Sequence, residues 1–155
     1  MPAIVCFDTQ VFCWALRDWR NTTEPNVHKA AYLLEALTND KDTRIAIPSI
    51  VLAEALVAMP LERQMAFTIL VSKHFDVAPF DLAAAREFPR VFKAFPKSKG
   101  RQALKADALI LATALARGAR TMYTEDEGFQ RRGAQFLEMR PLPTPPPRQL
   151  TLPTT

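Results

Sequence analysis

Short apolar runs alternate along the chain with longer stretches that carry apolar residues at helical spacing. Five runs have the length of buried strands, at residues 3–7, 44–48, 76–79, 119–124 and 135–139. Between the first two lies the stretch 27–40, where Leu33, Leu34 and Leu37 mark one face of a helix. Strands that alternate with helices are typical of a parallel sheet. We therefore predict an α/β fold with helices on both faces of the sheet.

Capping residues mark the predicted helix ends. Ser49 is the expected N-cap of the helix after the second strand, and Pro60 takes the first position of the next helix. Asp81 is the expected cap of a helix over 82–95, which Pro89 should kink or split.

The 155 residues fit one domain with a proper core, followed by a tail. Six of the 13 prolines fall after residue 140, so we predict a domain over 1–140 and an extended tail over 141–155. The tail is either a loose end or a strap that docks on a partner or a second subunit. The early acid of the N-terminal stretch and the lack of a long apolar run predict a cytoplasmic protein without a membrane span.

Four acids fall where a parallel sheet would bring them together. Asp8 directly follows the first strand, Glu54 lies in the helix after the second, and Asp126 follows the fourth by two residues. Asp107 lies inside the apolar stretch 103–115, where an uncompensated carboxylate is expensive to bury. Because ligands bind at the carboxyl ends of parallel strands, we expect these acids at one rim.

A converging group of carboxylates repels itself unless a cation compensates it. Mg²⁺ and Mn²⁺ prefer oxygen ligands, and such an ion can lower the pKa of a bound water and orient a phosphodiester. The net charge of +4 is compatible with an anionic partner such as nucleic acid. The pattern therefore favours a metal-dependent hydrolase.

Each acid also has a structural alternative. Asp8 could cap the following helix, Glu54 could be a solvated helix residue, and Asp126 could belong to an acidic surface loop. Asp107 could be an N-cap or the salt partner of Lys105. Spacing alone leaves these alternatives open.

Four segments contain the four acids, and they read VCFDTQVF, PSIVLAEAL, KADALILATAL and TMYTEDEGF. Together and in this order they resemble the PIN-domain family of metal-dependent ribonucleases, and the resemblance covers roughly residues 3–139. The resemblance implies a three-layer α/β/α fold with a five-stranded parallel sheet. It also implies hydrolysis of single-stranded or looped RNA. Small single-domain members of the family are commonly VapC-type toxins of toxin–antitoxin pairs.

The resemblance assigns roles to individual residues. It implies that Asp8, Glu54, Asp107 and Asp126 hold Mg²⁺ or Mn²⁺ and form the catalytic set. It implies supporting roles for Thr9, Gln10 and Thr124, although Gln10 stands where the family usually has Asn. A small antitoxin protein and a second copy of the chain are the partners that the resemblance implies.

A basic segment precedes Asp107 and is the candidate RNA path. Residues 86–105 carry seven basic side chains against one acid, Glu87. The expected RNA contacts are Lys97, Lys99, Arg101 and Lys105. The interleaved phenylalanines could stack on bases, or they could face the core while the charges are merely solvated; these are Phe88, Phe92 and Phe95.

Three functions are compatible with this pattern. The leading hypothesis is a metal-dependent endoribonuclease, the toxin of a type II toxin–antitoxin pair. A second is a non-catalytic RNA- or protein-binding module on a PIN scaffold, which the retention of four acids disfavours. A third is a phosphatase-like or DNA-directed hydrolase, for which the chain lacks additional helical segments.

Overall fold

A five-stranded parallel sheet forms the centre of the molecule. The structure is a computed structural model that describes residues 1–96 and 100–147, without the side chain of Arg101. The strands are β1 (Ala3–Phe7), β2 (Thr43–Pro48), β3 (Asp76–Ala78), β4 (Thr121–Tyr123) and β5 (Glu138–Arg140). They lie in the order β3-β2-β1-β4-β5, and every neighbouring pair is parallel. The predicted α/β fold and its five-stranded sheet are confirmed.

Helices cover the sheet and complete the three-layer α/β/α arrangement. They are α1 (Thr9–Ala15), α2 (Pro25–Asn39), α3 (Ser49–Val57), α4 (Leu61–His74), α5 (Leu82–Ala94), α6 (Arg101–Ala116) and α7 (Glu127–Gly133). A short 3₁₀ turn over Trp19–Asn21 lies between α1 and α2. None of the helices in the described ranges is long and apolar enough to cross a membrane.

The core is built around the central strand β1, which pairs with β2 on one side and β4 on the other. Cys6 and Phe7 on this strand are fully buried, and the ring of Phe7 meets the edge of Tyr123. The predicted phenylalanine stripe of α5 and its C-cap also faces the core. Phe95 is buried, and Phe88 and Phe92 pack against the core with their rings stacked on each other at a centroid distance of 5.3 Å. The core-facing alternative for these phenylalanines is therefore confirmed.

Two predicted helix starts are wrong by one residue. Pro48 is the N-cap of α3, and the hydroxyl of Ser49 instead accepts the backbone N–H of Phe80 at 3.2 Å. Pro60 is likewise the cap of α4 rather than its first residue. The cap at Asp81 is confirmed, because its carboxylate accepts the N–H of Ala84 at 3.0 Å.

Helix α5 runs unbroken through Pro89, so of the two predicted effects the split is wrong and the kink stays a prediction. A proline inside a helix removes one backbone hydrogen bond. Contact with α6 and the burial of Ala84 and Val91 hold the helix together on both sides of that position.

The last part of the fold differs most from the sequence prediction. Helix α7 has no counterpart there, because its sequence EGFQRRG is polar and buries only Phe129 and Gly133. Strand β5 starts three residues later than predicted, because Phe136 and Leu137 form a turn whose N–H groups bond back to the carbonyl of Gly133.

The second residue of the proline-rich segment, Leu142, belongs to the core. Leu142 is 5% exposed, and its N–H donates to the carboxylate of Glu125 at 2.6 Å. Further on, the range 145–147 lines a groove of about 540 Å³ together with Trp19 and Tyr32. Residues 148–155 lie outside the described residues, and the role of the whole segment as a separate tail stays a prediction.

We expect Leu142 rather than the following residues to stabilise the domain. Leu142→Ala should lower the free energy of unfolding by about 2 to 3 kcal/mol, because it empties a core position. Deletion of residues 144–155 should change that free energy by less than about 1 kcal/mol, since none of the described residues that it removes is buried. Urea unfolding of both variants measures this. An equal loss in the deletion variant would show that the tail docks as a strap.

Candidate active site

The pairing of β1 with β4 creates the candidate site at the carboxyl edge of the sheet. Phe7 pairs with Tyr123 at the ends of these strands, so the next residues, Asp8 and Thr124, come out side by side. The N–H of Asp8 donates to the carbonyl of Tyr123 at 3.1 Å and fixes this register. At this point the strand order reverses from one side of β1 to the other, as in other ligand-binding parallel sheets.

Asp8 is held by two hydrogen bonds in a buried position. One carboxylate oxygen accepts the N–H of Val11 at 2.9 Å and caps α1, while the other accepts the hydroxyl of Thr124. The carboxylate is therefore a helix cap, as the structural alternative proposed, and it also lines the cavity described below. Burial raises its pKa from 3.8 to about 6; the bonds from Thr124 and Val11 lower the pKa, and the charges of two other acids raise it.

Thr124 also connects Asp8 to Asp126. Its hydroxyl oxygen accepts the N–H of Asp126 at 3.1 Å, and the Asp126 carboxylate accepts the N–H of Phe129 at 3.0 Å as the N-cap of α7. The Gln130 side chain donates to the Thr124 carbonyl at 2.7 Å. One threonine therefore sets the relative position of two of the four acids.

Asp107 lies in the interior of α6, which begins at Arg101, so its alternative as an N-cap is wrong. One of its carboxylate oxygens accepts a hydrogen bond from Nη2 of Arg132 at 2.6 Å, in an ion pair between side chains that are 23% and 22% exposed. Burial raises the pKa of Asp107, and the bond from Arg132 opposes that shift. Arg132 therefore takes the place proposed for Lys105, whose side chain is exposed.

A single cavity of about 160 Å³ brings the four acids together. Its walls include all four predicted catalytic acids and two of the three predicted supporting residues: Asp8, Glu54, Asp107, Asp126, Thr9 and Gln10. Glu54 is exposed on α3, as its structural alternative proposed, and forms one side of the opening. Among residues 1–96 and 100–147, however, no three Asp, Glu, His or Cys side chains approach closely enough to hold a metal ion. The proposed catalytic and metal-binding roles stay predictions.

Arg132 is the residue of this site that the sequence analysis missed. It lies on α7 with its guanidinium 5.7 Å from the ring centre of Phe95. A Cβ atom at Gly128 would lie 2.9 Å from Nη1 of Arg132 and 3.1 Å from the Asp126 carboxylate. The guanidinium therefore lies close to two of the acids, in space left by a glycine. The spacing of Gly128 and Arg132 by four residues would have been a signal only if α7 had been predicted.

The structure describes little of the predicted RNA path. Lys97 and Lys99 lie outside the described residues, and of Arg101 only the backbone is described, as the first residue of α6. Lys105 is exposed on the same helix. The four predicted contacts stay predictions.

The fold and the cavity define an α/β protein with an acidic pocket at the switch point of a parallel sheet. A model of the PIN domain matches residues 5–135, and the chain therefore belongs to the PIN domain family. The resemblance inferred from the four sequence segments is confirmed.

Solved structures agree with this assignment. The chain is similar to VapBC2 from Rickettsia felis bound to a promoter DNA fragment, with 22% identity, TM-score 0.61, and coverage of 89% of this chain and 98% of that chain. For VapBC-1 from Haemophilus influenzae the identity is 16%, the TM-score 0.61, and the coverage 90% and 98%. For VapBC-5 from Mycobacterium tuberculosis, a member of the VapBC family of toxin–antitoxin systems, the identity is 20%, the TM-score 0.51, and the coverage 91% and 98%. No curated protein sequence matches the chain.

The raised pKa of Asp8 predicts a pH-dependent effect of Asp8→Asn in EDTA. The native state keeps the Asp8 proton up to about pH 6, whereas the unfolded chain loses it near 3.8, so native stability falls as the pH rises through this window. Asp8→Asn has no proton to lose. The free energy of unfolding of Asp8→Asn, relative to that of wild type, should therefore rise by roughly 2 kcal/mol from about pH 4.5 to pH 7.5, at about 1.4 kcal/mol per pKa unit. Urea unfolding at the two pH values measures this.

Asp40→Asn is the matched control. Hydrogen bonds from Thr43 and from the backbone of Asp42 lower the pKa of Asp40, so its pH effect should lie below about pH 4. The prediction would be contradicted if, between about pH 4.5 and pH 7.5, the relative free energy of unfolding rose no more for Asp8→Asn than for Asp40→Asn.

Proposed function

We propose that the chain is an endoribonuclease that depends on Mg²⁺ or Mn²⁺ and hydrolyses RNA phosphodiesters. The observation that carries the proposal is the cavity at the carboxyl edge of the sheet, which acids from four separate segments line in a chain of the PIN domain family. The site offers no serine–histidine or cysteine–histidine pair, and acid clusters in such positions commonly serve metal-assisted hydrolysis.

The polar side chains that line the cavity carry oxygen atoms, the type of ligand that suits a hard divalent cation. Carboxylate oxygens are the preferred ligands of Mg²⁺, and Asp8, Glu54, Asp107 and Asp126 would supply them. The buried hydroxyl of Thr9, in the same wall, has no hydrogen-bond partner among the described residues and suits a metal-bound water. Convergence requires side-chain movement, since Asp107 is paired with Arg132 and Glu54 is exposed.

The residues of the chain position the reaction. A bound ion would supply activation of a water and neutralisation of the charge that develops on the phosphate. Thr124 orients the carboxylate of Asp8 and the backbone of Asp126. Asp8 must lose its proton before it can act as a ligand, so the raised pKa favours activity above about pH 6. Gln10, whose side chain is longer than the usual Asn, supports the same wall.

The basic segment supplies the proposed path of the RNA. Lys97, Lys99, Arg101 and Lys105 would neutralise phosphates along the approach to the cavity, because α6 carries Asp107 just beyond them. The reaction takes place in the cytoplasm, where its RNA substrate is found.

A protein partner completes the proposal. Helix α4 and the end of α3 expose an apolar strip of the kind that marks protein interfaces; its members are Val57, Leu61, Met65, Ile69 and Leu70, between 49% and 86% exposed. The similar VapBC structures belong to toxin–antitoxin systems, so a small antitoxin is the proposed occupant of this strip. A homodimer is also part of the proposal, as expected of a small VapC-type protein.

The purified chain should cleave single-stranded RNA in Mn²⁺ or Mg²⁺, and EDTA should abolish cleavage. Asp126→Asn should lower the rate by at least about 100-fold, because it removes a proposed ligand. Glu127→Gln is the control: it removes the same charge from the adjacent exposed residue, which does not line the cavity, and should leave the rate within about threefold of wild type. Cleavage of a fluorescent RNA measures both.

Two outcomes would contradict the proposal. Undiminished cleavage in EDTA by dialysed protein would rule out metal dependence. Binding of the RNA without cleavage in either metal would favour the non-catalytic module instead.

A further inference from the structure

One of the four acids that line the cavity, Asp107, is already paired with a cation of the chain itself. The guanidinium of Arg132 bonds to Asp107 at 2.6 Å and lies beside Asp126, in the space that Gly128 leaves open. Like charges that share a cavity destabilise the native state unless a positive charge compensates them. Arg132 supplies that charge at Asp107.

The hydrogen-bonding capacity of the Arg132 guanidinium is only partly used. Its Nε atom is buried and has no hydrogen-bond partner among the described residues, and Nη2 makes its bond to a single oxygen of Asp107. Pairs of arginine with a carboxylate frequently make two parallel bonds, which add both energy and geometric specificity. The side chain is also 22% exposed, so part of it already contacts solvent.

We propose that Arg132 is an internal competitor of the divalent cation. In the metal-free protein it holds Asp107 and compensates the acidic pocket, and a metal ion can recruit Asp107 only after the guanidinium has left it. Arg132 thereby raises the metal concentration at which the site fills. This inference rests on the proposed function, because it concerns the affinity of the same pocket for the same ions.

Competition has a thermodynamic consequence that a structural clamp lacks. The apparent affinity of a ligand falls by the fraction of protein in the binding-competent state, so removal of the competing contact tightens binding. Removal of a clamp would instead leave the acids misplaced and weaken binding. The sign of the change in metal affinity therefore separates the two roles.

Calorimetric titration of Mn²⁺ into wild type, Arg132→Gln and Arg131→Gln tests the proposal. Arg132→Gln should bind Mn²⁺ at least about fivefold more tightly than wild type, at the lower end of typical couplings between sites. In EDTA its melting temperature should fall below that of wild type, since Asp107 loses its partner. Arg131→Gln removes the same charge from an exposed neighbour on α7 and should bind within about twofold of wild type.

A second measurement serves if Arg132→Gln fails to fold. The Nε–Hε resonance of Arg132 in the wild-type protein should move during titration with Mg²⁺ and saturate at the calorimetric affinity, while that of Arg131 stays in place. A constant Arg132 resonance in protein that binds Mg²⁺ overturns the inference.

The remaining outcomes separate this inference from the proposed function. Unchanged or weaker Mn²⁺ binding by Arg132→Gln, with normal binding by wild type, overturns the competition alone. Failure of wild type to bind either metal overturns both.

Discussion

The candidate site depends on one constraint, the parallel pairing of β1 with β4. That pairing places Asp8 beside Thr124 at the point where the strand order reverses. The threonine then fixes Asp8 through its hydroxyl and Asp126 through the backbone N–H that it accepts. A change of register by one residue would turn these side chains to the other face of the sheet. The position of half of the acids is thus a property of the sheet rather than of the loops.

Charge compensation is the second requirement, and the metal-free chain meets it only in part. Asp8 and Asp126 are stabilised as caps of α1 and α7, whose N-termini favour negative charge. Asp107 relies on Arg132, and burial still raises its pKa above the ordinary value. The pocket therefore retains unfavourable electrostatic energy that a bound cation would relieve, which is a common feature of functional sites.

The sequence predicts those features of the fold and site that follow from the spacing of apolar residues and from the positions of strand ends. Apolar runs identify five strands, and a carboxylate in the otherwise apolar α6 identifies Asp107 as exceptional. Arg132 could not be predicted in this way, because its contact with Asp107 spans 25 positions and depends on the orientation of the polar helix α7. Without α7, nothing in the sequence separates Arg132, which bonds to Asp107, from Arg131, which is exposed one position earlier. The basic residues before α6 and in its first turns remain assigned by charge alone.

Anomalous diffraction from crystals grown in Mn²⁺ can decide whether the four carboxylates form one cation site. If they do, we expect a peak inside the cavity, roughly 2.0 to 2.3 Å from carboxylate oxygens that include those of Asp8, Asp107 and Asp126, with Arg132 no longer bonded to Asp107. A cavity without a peak at saturating Mn²⁺, with the Asp107–Arg132 pair intact, would contradict it.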